Sequence, residues 1–266
     1  MRSVATSRLK TWFFQKRVYL FDLDGSLYLG ARPISGAVKL LKKLEAQNKE
    51  IFYLSNNSSR SDRALLQKLR KMGFPAKPQQ ILISTHILIR YLQKKRFRRA
   101  FVLGTPAMKR MLNQSKQIRC VDENPQVVVV GFDKTLTYAK LLRAAQWISQ
   151  GLPWIITHPD LFCPTERGPE PDCGAIAKLL ELSTAKKAVV TLGKSSPWMM
   201  ELLRESCFFK ASEVVVVGDR LTTDIRMAVE NKFESLFVLS GDHQRTDLRK
   251  HPWKPSFIAN SVAELV

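Results

Sequence analysis

The chain has few cysteines and no long apolar segment. Its 266 residues include four cysteines, Cys120, Cys163, Cys173 and Cys207, with no CxxC pair and no His/Cys cluster at zinc-like spacing. This pattern excludes a disulfide framework and a common zinc site, and it predicts free thiols. No apolar run approaches the roughly 20 residues that a membrane span needs. We therefore expect a soluble, cytoplasmic protein that does not bind membranes.

Acidic residues are scarce as well. The chain has 23 of them against 43 lysines and arginines, which gives a net charge of +20. Such a charge favours anionic ligands and attracts nucleic acid without sequence preference. Because no recognised nucleic-acid motif accompanies it, we predict no specific nucleic-acid partner. The basic run 94–99 is interpreted as a solvated helix end, and residues 1–17 as a frayed basic extension or a targeting segment.

Apolar residues are frequent enough for a folded core, at 45% of the chain. Short apolar runs predict buried parallel strands at 18–22, 51–55, 101–104, 127–131, 154–157, 189–193 and 214–219. Amphipathic segments separate them, such as a helix that is capped at Ser61 and Asp62 and ends at Gly73. Alternating strands and helices predict the α/β class.

Polar residues that can bind ligands or take part in catalysis follow four of these strands. In parallel sheets the ligand site forms where the carboxyl ends of the strands meet. The four segments are Asp22-Leu23-Asp24-Gly25, Ser55-Asn56-Asn57, Gly193-Lys194 and Gly218-Asp219-Arg220. Each segment alone is also common in turns, helix caps or surface positions. Together, in this order, they predict one phosphoryl-transfer site.

The two acids of the first segment suit complementary roles in that chemistry. Asp22 ends a strand and can attack phosphorus, while Asp24 lies in the following turn and can protonate the departing oxygen. The product is an aspartyl phosphate, which water activated by Asp24 can hydrolyse. Gly25 allows the sharp turn that directs both carboxyl groups to one phosphate.

The remaining segments supply the groups that bind phosphate and metal. Ser55 and the backbone N–H of Asn56 can bind the phosphoryl oxygens, and Lys194 can offset their charge. Asp219 can complete an oxygen-rich magnesium site with Asp22 and the carbonyl oxygen of Asp24. We therefore predict Mg²⁺ as the cofactor.

Prolines and small polar residues mark the predicted boundaries of an inserted second domain. Pro75 and Pro78 follow the second helix, and Ser183-Thr184 precedes the return toward Lys194. We assign residues 1–78 and 183–266 to the core and residues 79–182 to the insert. Within the insert, residues 168–174 are predicted to form an exposed loop.

At these residues the sequence resembles the haloacid dehalogenase (HAD) superfamily, whose four motifs match the four segments in order and spacing. More narrowly it resembles the NagD-type, or para-nitrophenyl phosphatase-like, branch (subfamily IIA), from about Val18 to Gly241. The resemblance implies a Rossmann-like core with a parallel sheet and an inserted α/β cap of the C2 type. Members with an acid two residues after the nucleophile are phosphatases, as Asp24 is here.

The resemblance also implies further site residues. Asp224 would support the metal, and capping the helix that follows is an alternative role that does not exclude the first. Asn57 belongs to the phosphate-binding motif. In the cap, His158 stands where asparagine is frequent, and it would contact substrate or serve the structure. Glu166 and Asp172 would contact substrate or face solvent.

The sequence therefore predicts a magnesium-dependent phosphatase that acts on a small phosphorylated metabolite, such as a sugar phosphate, glycerol phosphate or a nucleotide. Two alternatives stay open at this stage. One is a phosphotransferase or phosphomutase that uses the same intermediate, and the other is a non-catalytic, basic, nucleic-acid-associated protein on the same fold. The resemblance also implies that a homodimer, where one forms, pairs through the cap.

Overall fold

The computed structural model describes residues 2–165 and 167–266, with side chains from residue 7 onward. Glu166, predicted to contact substrate, lies outside the described residues. Within the described part of the chain, no helix combines the length and the apolar composition needed to cross a membrane. The cytoplasmic location stays a prediction.

Helices and strands alternate along the described chain, which confirms the predicted α/β class. The helices are α1 (Arg2–Gln15), α2 (Ala37–Ala46), α3 (Asp62–Lys71), α4 (Ser84–Lys94), α5 (Pro106–Gln114), α6 (Tyr138–Ser149), α7 (Cys173–Thr184), α8 (Pro197–Ser206) and α9 (Arg226–Glu230). The strands are β1 (Val18–Asp22), β2 (Tyr28–Leu29), β3 (Arg32–Pro33), β4 (Glu50–Ser55), β5 (Ile81–Ile83), β6 (Arg99–Leu103), β7 (Arg119–Cys120), β8 (Val127–Val130), β9 (Trp154–Ile156), β10 (Phe162–Thr165), β11 (Gly168–Pro171), β12 (Val190–Thr191), β13 (Val214–Gly218), β14 (Glu234–Val238) and β15 (Phe257–Ala259).

The chain divides into two compact units. Unit 1 contains the residues up to Ser55, Arg63–Leu82 and Leu203–Val266, and unit 2 contains Asn56–Asp62 and Ile83–Leu202. Residues 56–62 and 183–202, which the sequence assigned to the core, cluster with unit 2. The limits of the inserted domain stay a prediction.

Unit 1 is built on a six-stranded sheet with the order β15-β14-β13-β1-β4-β5. Strand β1 pairs in parallel with both neighbours, so Val18 lies opposite Val214 on one side and Glu50 on the other. Every residue of β1 and β13 is buried, as expected for apolar runs in a parallel sheet. Because β4, β1 and β13 are adjacent and parallel, the residues that follow them share one edge of the sheet.

Unit 2 has its own five-stranded sheet with the order β12-β9-β8-β6-β7. Its core lies between this sheet and helices α6 and α7, and it includes Leu103, Val130, Trp154, Ile176 and Leu180. The predicted strand 189–193 is shorter than expected, since β12 covers Val190–Thr191 and pairs with β9.

The segment that follows β4 is attached to unit 2 by hydrogen bonds. The Oγ atom of Ser58 lies 3.2 Å from Thr157 Oγ1 and accepts the Phe132 N–H at 2.8 Å. Thr105 Oγ1 donates to the carbonyl oxygen of Ser59 at 2.9 Å. These bonds use groups at the ends of the strands of unit 2, and they explain why residues 56–62 cluster there.

Residues 168–174 form regular structure, so the prediction of an exposed loop is wrong. Strand β11 pairs antiparallel with β10, with Cys163 opposite Glu170. Asp172 is the N-cap of α7, and its Oδ1 accepts the Cys173 N–H at 2.5 Å. A two-stranded ribbon has edges that need no N–H donor, and it therefore tolerates the prolines that suggested a loop.

The N-terminal residues form a docked helix, which corrects the interpretation of a frayed extension. In α1, Phe13 is fully buried with its ring 5.0 Å from that of Tyr19. Trp12 packs on Phe257 at 4.3 Å and donates from Nε1 to Glu234 Oε1 at 2.9 Å. The apolar face of α1, which unit 1 buries, was not recognised in the sequence because basic residues surround it.

The basic run 94–99 is a helix end, as the sequence predicts. Helix α4 ends at Lys94, Arg96 has the left-handed φ of 59°, and β6 begins at Arg99. The lysines and arginines of the run are exposed. Lys94 also forms an ion pair with Glu201 of α8.

The docking of α1 predicts that Phe13 contributes strongly to stability. Phe13→Ala should lower the free energy of unfolding by about 3–5 kcal/mol, because it removes a fully buried ring. Arg8→Ala, on the exposed side of the same helix, is the matched control and should stay within about 0.5 kcal/mol of the wild type. Urea unfolding measures both. A Phe13→Ala effect as small as that of Arg8→Ala would contradict the docked helix.

Candidate active site

Three acidic side chains of unit 1 converge at the carboxyl edge of its sheet. Asp22 ends β1, Asp219 directly follows β13, and Asp224 lies in the helical turn Leu221–Ile225. One carboxylate oxygen from each lies within 4.8 Å of the others. Asp22 is 9% exposed, Asp219 2% and Asp224 1%. The structure therefore brings together the carboxylates of three predicted metal residues, and the carbonyl oxygen of Asp24 stays a prediction.

The electrostatics of this cluster are unfavourable without a cation. Burial raises the pKa of Asp219 well above its ordinary value, and the charges of Asp22 and Asp224 raise it further. Asp219 Oδ2 accepts the Asp242 N–H at 2.7 Å, but Oδ1 accepts no hydrogen bond from the described residues. Buried like charges and an unsatisfied carboxylate oxygen together fit a hard divalent cation such as Mg²⁺.

Glycines surround this cluster because no other residue would fit. A Cβ atom added at Gly25 or Gly241 would overlap Asp219 Oδ2, and one added at Gly218 would overlap the Asp224 side chain. Gly25 also has a φ of 88°, which favours glycine. Asp219 and Asp224 thus occupy space that three missing side chains leave open.

Asp224 does not cap a helix, so that alternative is wrong. It lies inside the turn Leu221–Ile225, and Arg220 occupies the cap position. Asp224 Oδ2 accepts the Arg220 N–H at 3.1 Å. The Arg220 Nε atom lies 3.2 Å from Asp242 Oδ2. The side chains around Asp219 therefore restrain one another.

Asp24 has different surroundings from the buried acids. Its side chain is 43% exposed, and its Oδ2 accepts the Tyr28 hydroxyl at 3.1 Å. Lys68 Nζ lies 4.0 Å from Asp24 Oδ1 and 3.8 Å from the centroid of the Tyr28 ring. The fourth predicted metal residue thus stands in a turn with its carboxyl group toward solvent. No sequence signal marked Lys68, which lies on the amphipathic helix α3.

Asp22 is oriented by its own turn. The Ser26 hydroxyl donates to Asp22 Oδ2 at 3.0 Å, and Ser26 is fully buried. Gly25 N donates to the Tyr28 carbonyl oxygen at 2.9 Å and closes the turn. Ser26 therefore holds the Asp22 carboxylate in one orientation.

The Ser55-Asn56-Asn57 segment is divided between the two units. Ser55 ends β4 in unit 1 and is 8% exposed. In unit 2, Asn57 Oδ1 accepts both the N–H and the hydroxyl of Ser59, at 2.9 and 2.7 Å. Asn56 Oδ1 accepts the Lys194 N–H at 2.9 Å. Both asparagine side chains therefore have local structural partners.

Lys194 is a buried cation of unit 2. It is 3% exposed and follows Gly193, whose φ of 110° favours glycine. A Cβ atom at Gly193 would lie 3.1 Å from Asn56 Oδ1 and 3.2 Å from His158 Cβ. The loop of Gly193 and Lys194 therefore approaches Asn56 and His158 closely.

His158 is fully buried between two acids. Its Nδ1 lies 3.4 Å from Asp160 Oδ2, and its Nε2 lies 3.4 Å from Asp172 Oδ1. Asp172 is itself 4% exposed. These positions favour the structural interpretation of both His158 and Asp172 over a direct contact with substrate. The sequence did not single out Asp160 as a site residue.

Comparison with known proteins places the chain in a family. The family model described as haloacid dehalogenase-like hydrolase matches residues 19–116, and a second, HAD-hydrolase-like model matches residues 191–265. An acid sugar phosphatase of Staphylococcus haemolyticus is 30% identical over 240 residues, 90% of this chain and 91% of the relative. The chain belongs to the haloacid dehalogenase-like hydrolases.

Solved structures agree over nearly the whole chain. A 4-nitrophenylphosphatase from Thermotoga maritima is 33% identical, with a TM-score of 0.89 over 96% of this chain and 97% of that one. A glycerol phosphate phosphatase from Mycobacterium tuberculosis, in complex with magnesium, is 29% identical, with a TM-score of 0.86 over 94% and 76%. The predicted fold and the para-nitrophenyl phosphatase-like branch are confirmed.

The glycine surroundings of Asp219 give a test of the metal site. Gly241→Ala places a methyl group where Asp219 Oδ2 lies, so the carboxylate must rotate away. We expect Mg²⁺ affinity, measured by calorimetry, to fall by about 10–100-fold. The melting temperature should fall as well, because the added Cβ would also lie 2.4 Å from Asp219 Cγ and 2.7 Å from Asp219 Cβ.

Gly104→Ala is the matched control for this change. There the added Cβ would meet Met108 Sδ at 2.6 Å, so a flexible side chain is displaced but no carboxylate moves. Its Mg²⁺ affinity should match that of the wild type. Wild-type affinity in Gly241→Ala, or an equal loss in both variants, would contradict the assignment of the site to Asp219.

Proposed function

We propose that this chain is a magnesium-dependent phosphatase that hydrolyses small phosphate monoesters through an aspartyl phosphate on Asp22. The observation that carries the proposal is the buried cluster of Asp22, Asp219 and Asp224 with the exposed Asp24 two residues beyond the strand end. Membership of the hydrolase family and the phosphatase names of the relatives support it.

The first step transfers the phosphoryl group to the protein. An Asp22 carboxylate oxygen attacks phosphorus, the bond between phosphorus and the ester oxygen breaks, and Asp24 gives its proton to the departing oxygen. Ser26 holds Asp22 in one orientation for this attack. The exposure of Asp24 allows its carboxyl group to reach a leaving group and to exchange protons with solvent.

The second step releases phosphate. Asp24, now a carboxylate, removes a proton from a water molecule that attacks phosphorus, and the bond from phosphorus to Asp22 breaks. Inorganic phosphate leaves, and both acids return to their starting protonation states. The Tyr28 hydroxyl donates to Asp24 and keeps its carboxyl group in the turn through both steps.

The residues that would hold Mg²⁺ are Asp22, Asp219 and the Asp24 carbonyl oxygen, with Asp224 in a supporting position. When bound, the ion supplies positive charge that neutralises the carboxylates and the phosphoryl oxygens. Ser55 and the Asn56 N–H are proposed to bind those oxygens.

Lys194 is proposed to offset the phosphoryl charge, and its burial supports that role because a desolvated ammonium group interacts strongly with anions. For Asn57 and His158 we propose structural roles, since their polar atoms face partners within unit 2. A direct contact of Glu166 with substrate stays a prediction.

The substrate class is proposed from the names of the relatives. A sugar phosphate is the first candidate, with glycerol phosphate and nucleotides next, because relatives bear the names acid sugar phosphatase and glycerol phosphate phosphatase. We propose that the insert, residues 79–182, forms the cap that selects among them; unit 2 contains this insert from residue 83 onward. Pairing of two chains through this cap stays a prediction.

Release of inorganic phosphate tests the proposal. The wild type with Mg²⁺ should release phosphate from members of a panel of sugar, polyol, nucleotide and aryl phosphates. Asp22→Asn should lower the rate by roughly 10³-fold or more, because the nucleophile is lost, and EDTA should abolish activity. Asp122→Asn makes the same chemical change at an acid of unit 2 outside the cluster and should have no effect.

Other outcomes separate the alternatives. Full activity in Asp22→Asn would contradict the mechanism. Transfer of phosphate to an added alcohol without release to water would identify a phosphotransferase. No turnover of any ester would overturn the proposed function and favour the non-catalytic alternative, which salt-dependent binding of nucleic acid would then test.

A further inference from the structure

The Asn56 side chain joins two functional loops of unit 2. Its Oδ1 accepts the Lys194 N–H at 2.9 Å, and its Nδ2 donates to Asp160 Oδ2 at 3.1 Å. A backbone N–H only donates, and a carboxylate only accepts. The two neighbours therefore fix the orientation of the amide, and each bond supports the other.

Asp160 is held in turn from the beginning of α7. Its Oδ2 lies 3.4 Å from His158 Nδ1, and the opposite nitrogen of the same ring lies 3.4 Å from Asp172 Oδ1. Asp172 caps α7 through the Cys173 N–H, and the Gly174 N–H donates to the Asp160 carbonyl oxygen at 2.8 Å. The contacts thus run from a helix N-terminus through His158 and Asp160 to Asn56.

The Lys194 loop lies close to both Asn56 and His158. Gly193 has a φ of 110°, and a Cβ atom there would lie 3.1 Å from Asn56 Oδ1 and 3.2 Å from His158 Cβ. The Asn56 backbone is fixed as well, because the Ser84 hydroxyl donates to its carbonyl oxygen at 2.6 Å. One amide therefore sets the position of both the residue-56 loop and the backbone at Lys194.

We propose that Asn56, Asp160 and His158 are positioning residues that hold the Lys194 backbone for phosphate chemistry. The effect of these residues on catalysis rests on the proposed phosphatase function. Their effect on the position of the Lys194 backbone does not. Asn56 acts here through its side chain on Lys194, whereas only its backbone N–H is assigned to phosphate. Asp160 and His158 act through Asn56 and are not catalytic residues.

Hydrogen exchange at the Lys194 amide tests the relay directly. This N–H is protected by Asn56 Oδ1, so Asp160→Ala, which frees the other end of the Asn56 amide, should speed its exchange by roughly five- to tenfold, as loss of one net hydrogen bond predicts. Asp122→Ala, at an acid of the same unit outside the relay, is the control and should leave it unchanged. NMR or mass spectrometry of the peptide around Lys194 gives the rates. Unchanged exchange in a folded Asp160→Ala protein would overturn the proposal.

An exchange of chemical groups supplies a second test should Asp160→Ala fail to fold. Asn56→Asp keeps an acceptor for the Lys194 N–H but sets a carboxylate against Asp160, so kcat should fall by about tenfold or more. In the double variant N56D/D160N, the amide introduced at position 160 can donate to the new carboxylate, and kcat should recover by about fivefold. A loss of packing alone would not be rescued in this way. A double variant no better than Asn56→Asp would contradict the relay.

His158 is tested by a pair of substitutions. His158→Asn keeps a polar side chain next to Asp160, and His158→Leu replaces it with an apolar one. We expect Lys194 amide protection near that of the wild type in the first variant and faster exchange in the second. Equal exchange in both would overturn the role of His158.

The failures of the two proposals are distinguishable. A wild-type protein that releases no phosphate from any ester would overturn the phosphatase function, while the exchange rates would still decide the relay. An active wild type with unchanged Lys194 exchange in Asp160→Ala would overturn the relay and leave the phosphatase intact.

Discussion

Repulsion among three buried carboxylates is the constraint on which the active site depends. Asp22, Asp219 and Asp224 approach within 4.8 Å because parallel strands β1 and β13 are adjacent and end at the same edge. Burying like charges is costly without a counter-charge, and the raised pKa of Asp219 expresses this cost. A divalent cation held by these carboxylates would offset it. The arrangement of the three acids thus favours a bound cation.

The features around the cluster follow from that requirement. Glycines at positions 25, 218 and 241 leave space for the acids, and Ser26 orients Asp22, the proposed nucleophile. Asp24 escapes the repulsion because its turn carries it toward solvent, where it can gain and lose a proton. Within unit 2, the buried Lys194 lies on a loop that a hydrogen-bonded amide holds in place. In the proposed mechanism, the acids of unit 1 are thus divided between metal binding and proton transfer.

The sequence predicted the site residues that lie at the ends of strands. Asp22, Ser55 and Asp219 follow apolar runs, and the rule for parallel sheets brings such residues to one edge. Of the six strands in the sheet of unit 1, three were not predicted: β5, β14 and β15. Strands β5 and β15 have three residues each, and so short an apolar run has no clear periodicity. The docked helix α1 was missed because its apolar residues lie among basic ones. The face that they form becomes clear only from the residues of unit 1 that it contacts, such as Tyr19 and Phe257.

Tertiary contacts explain the other differences. Lys68 and Asp160 lie far along the chain from Asp24 and Asn56, so their proximity depends on packing that no local pattern records. The two partners of the Asn56 amide could not be predicted from the sequence either. They are brought together only when the residue-56 loop, the loop containing Asp160 and the Lys194 loop meet in the folded protein. Gly241 lies beyond the motifs, and its closeness to Asp219 emerges only from the folded loop.

The most direct test of the account is to trap the phosphoryl group on Asp22. In Asp24→Asn, an aryl phosphate whose leaving group needs no protonation should still react with Asp22, but the hydrolysis of the product lacks its base. Mass spectrometry of the digested protein should then show one phosphoryl group on the peptide that contains Asp22. Phosphorylation of a different residue, or turnover of the ester by Asp24→Asn without any covalent intermediate, would contradict the central claim.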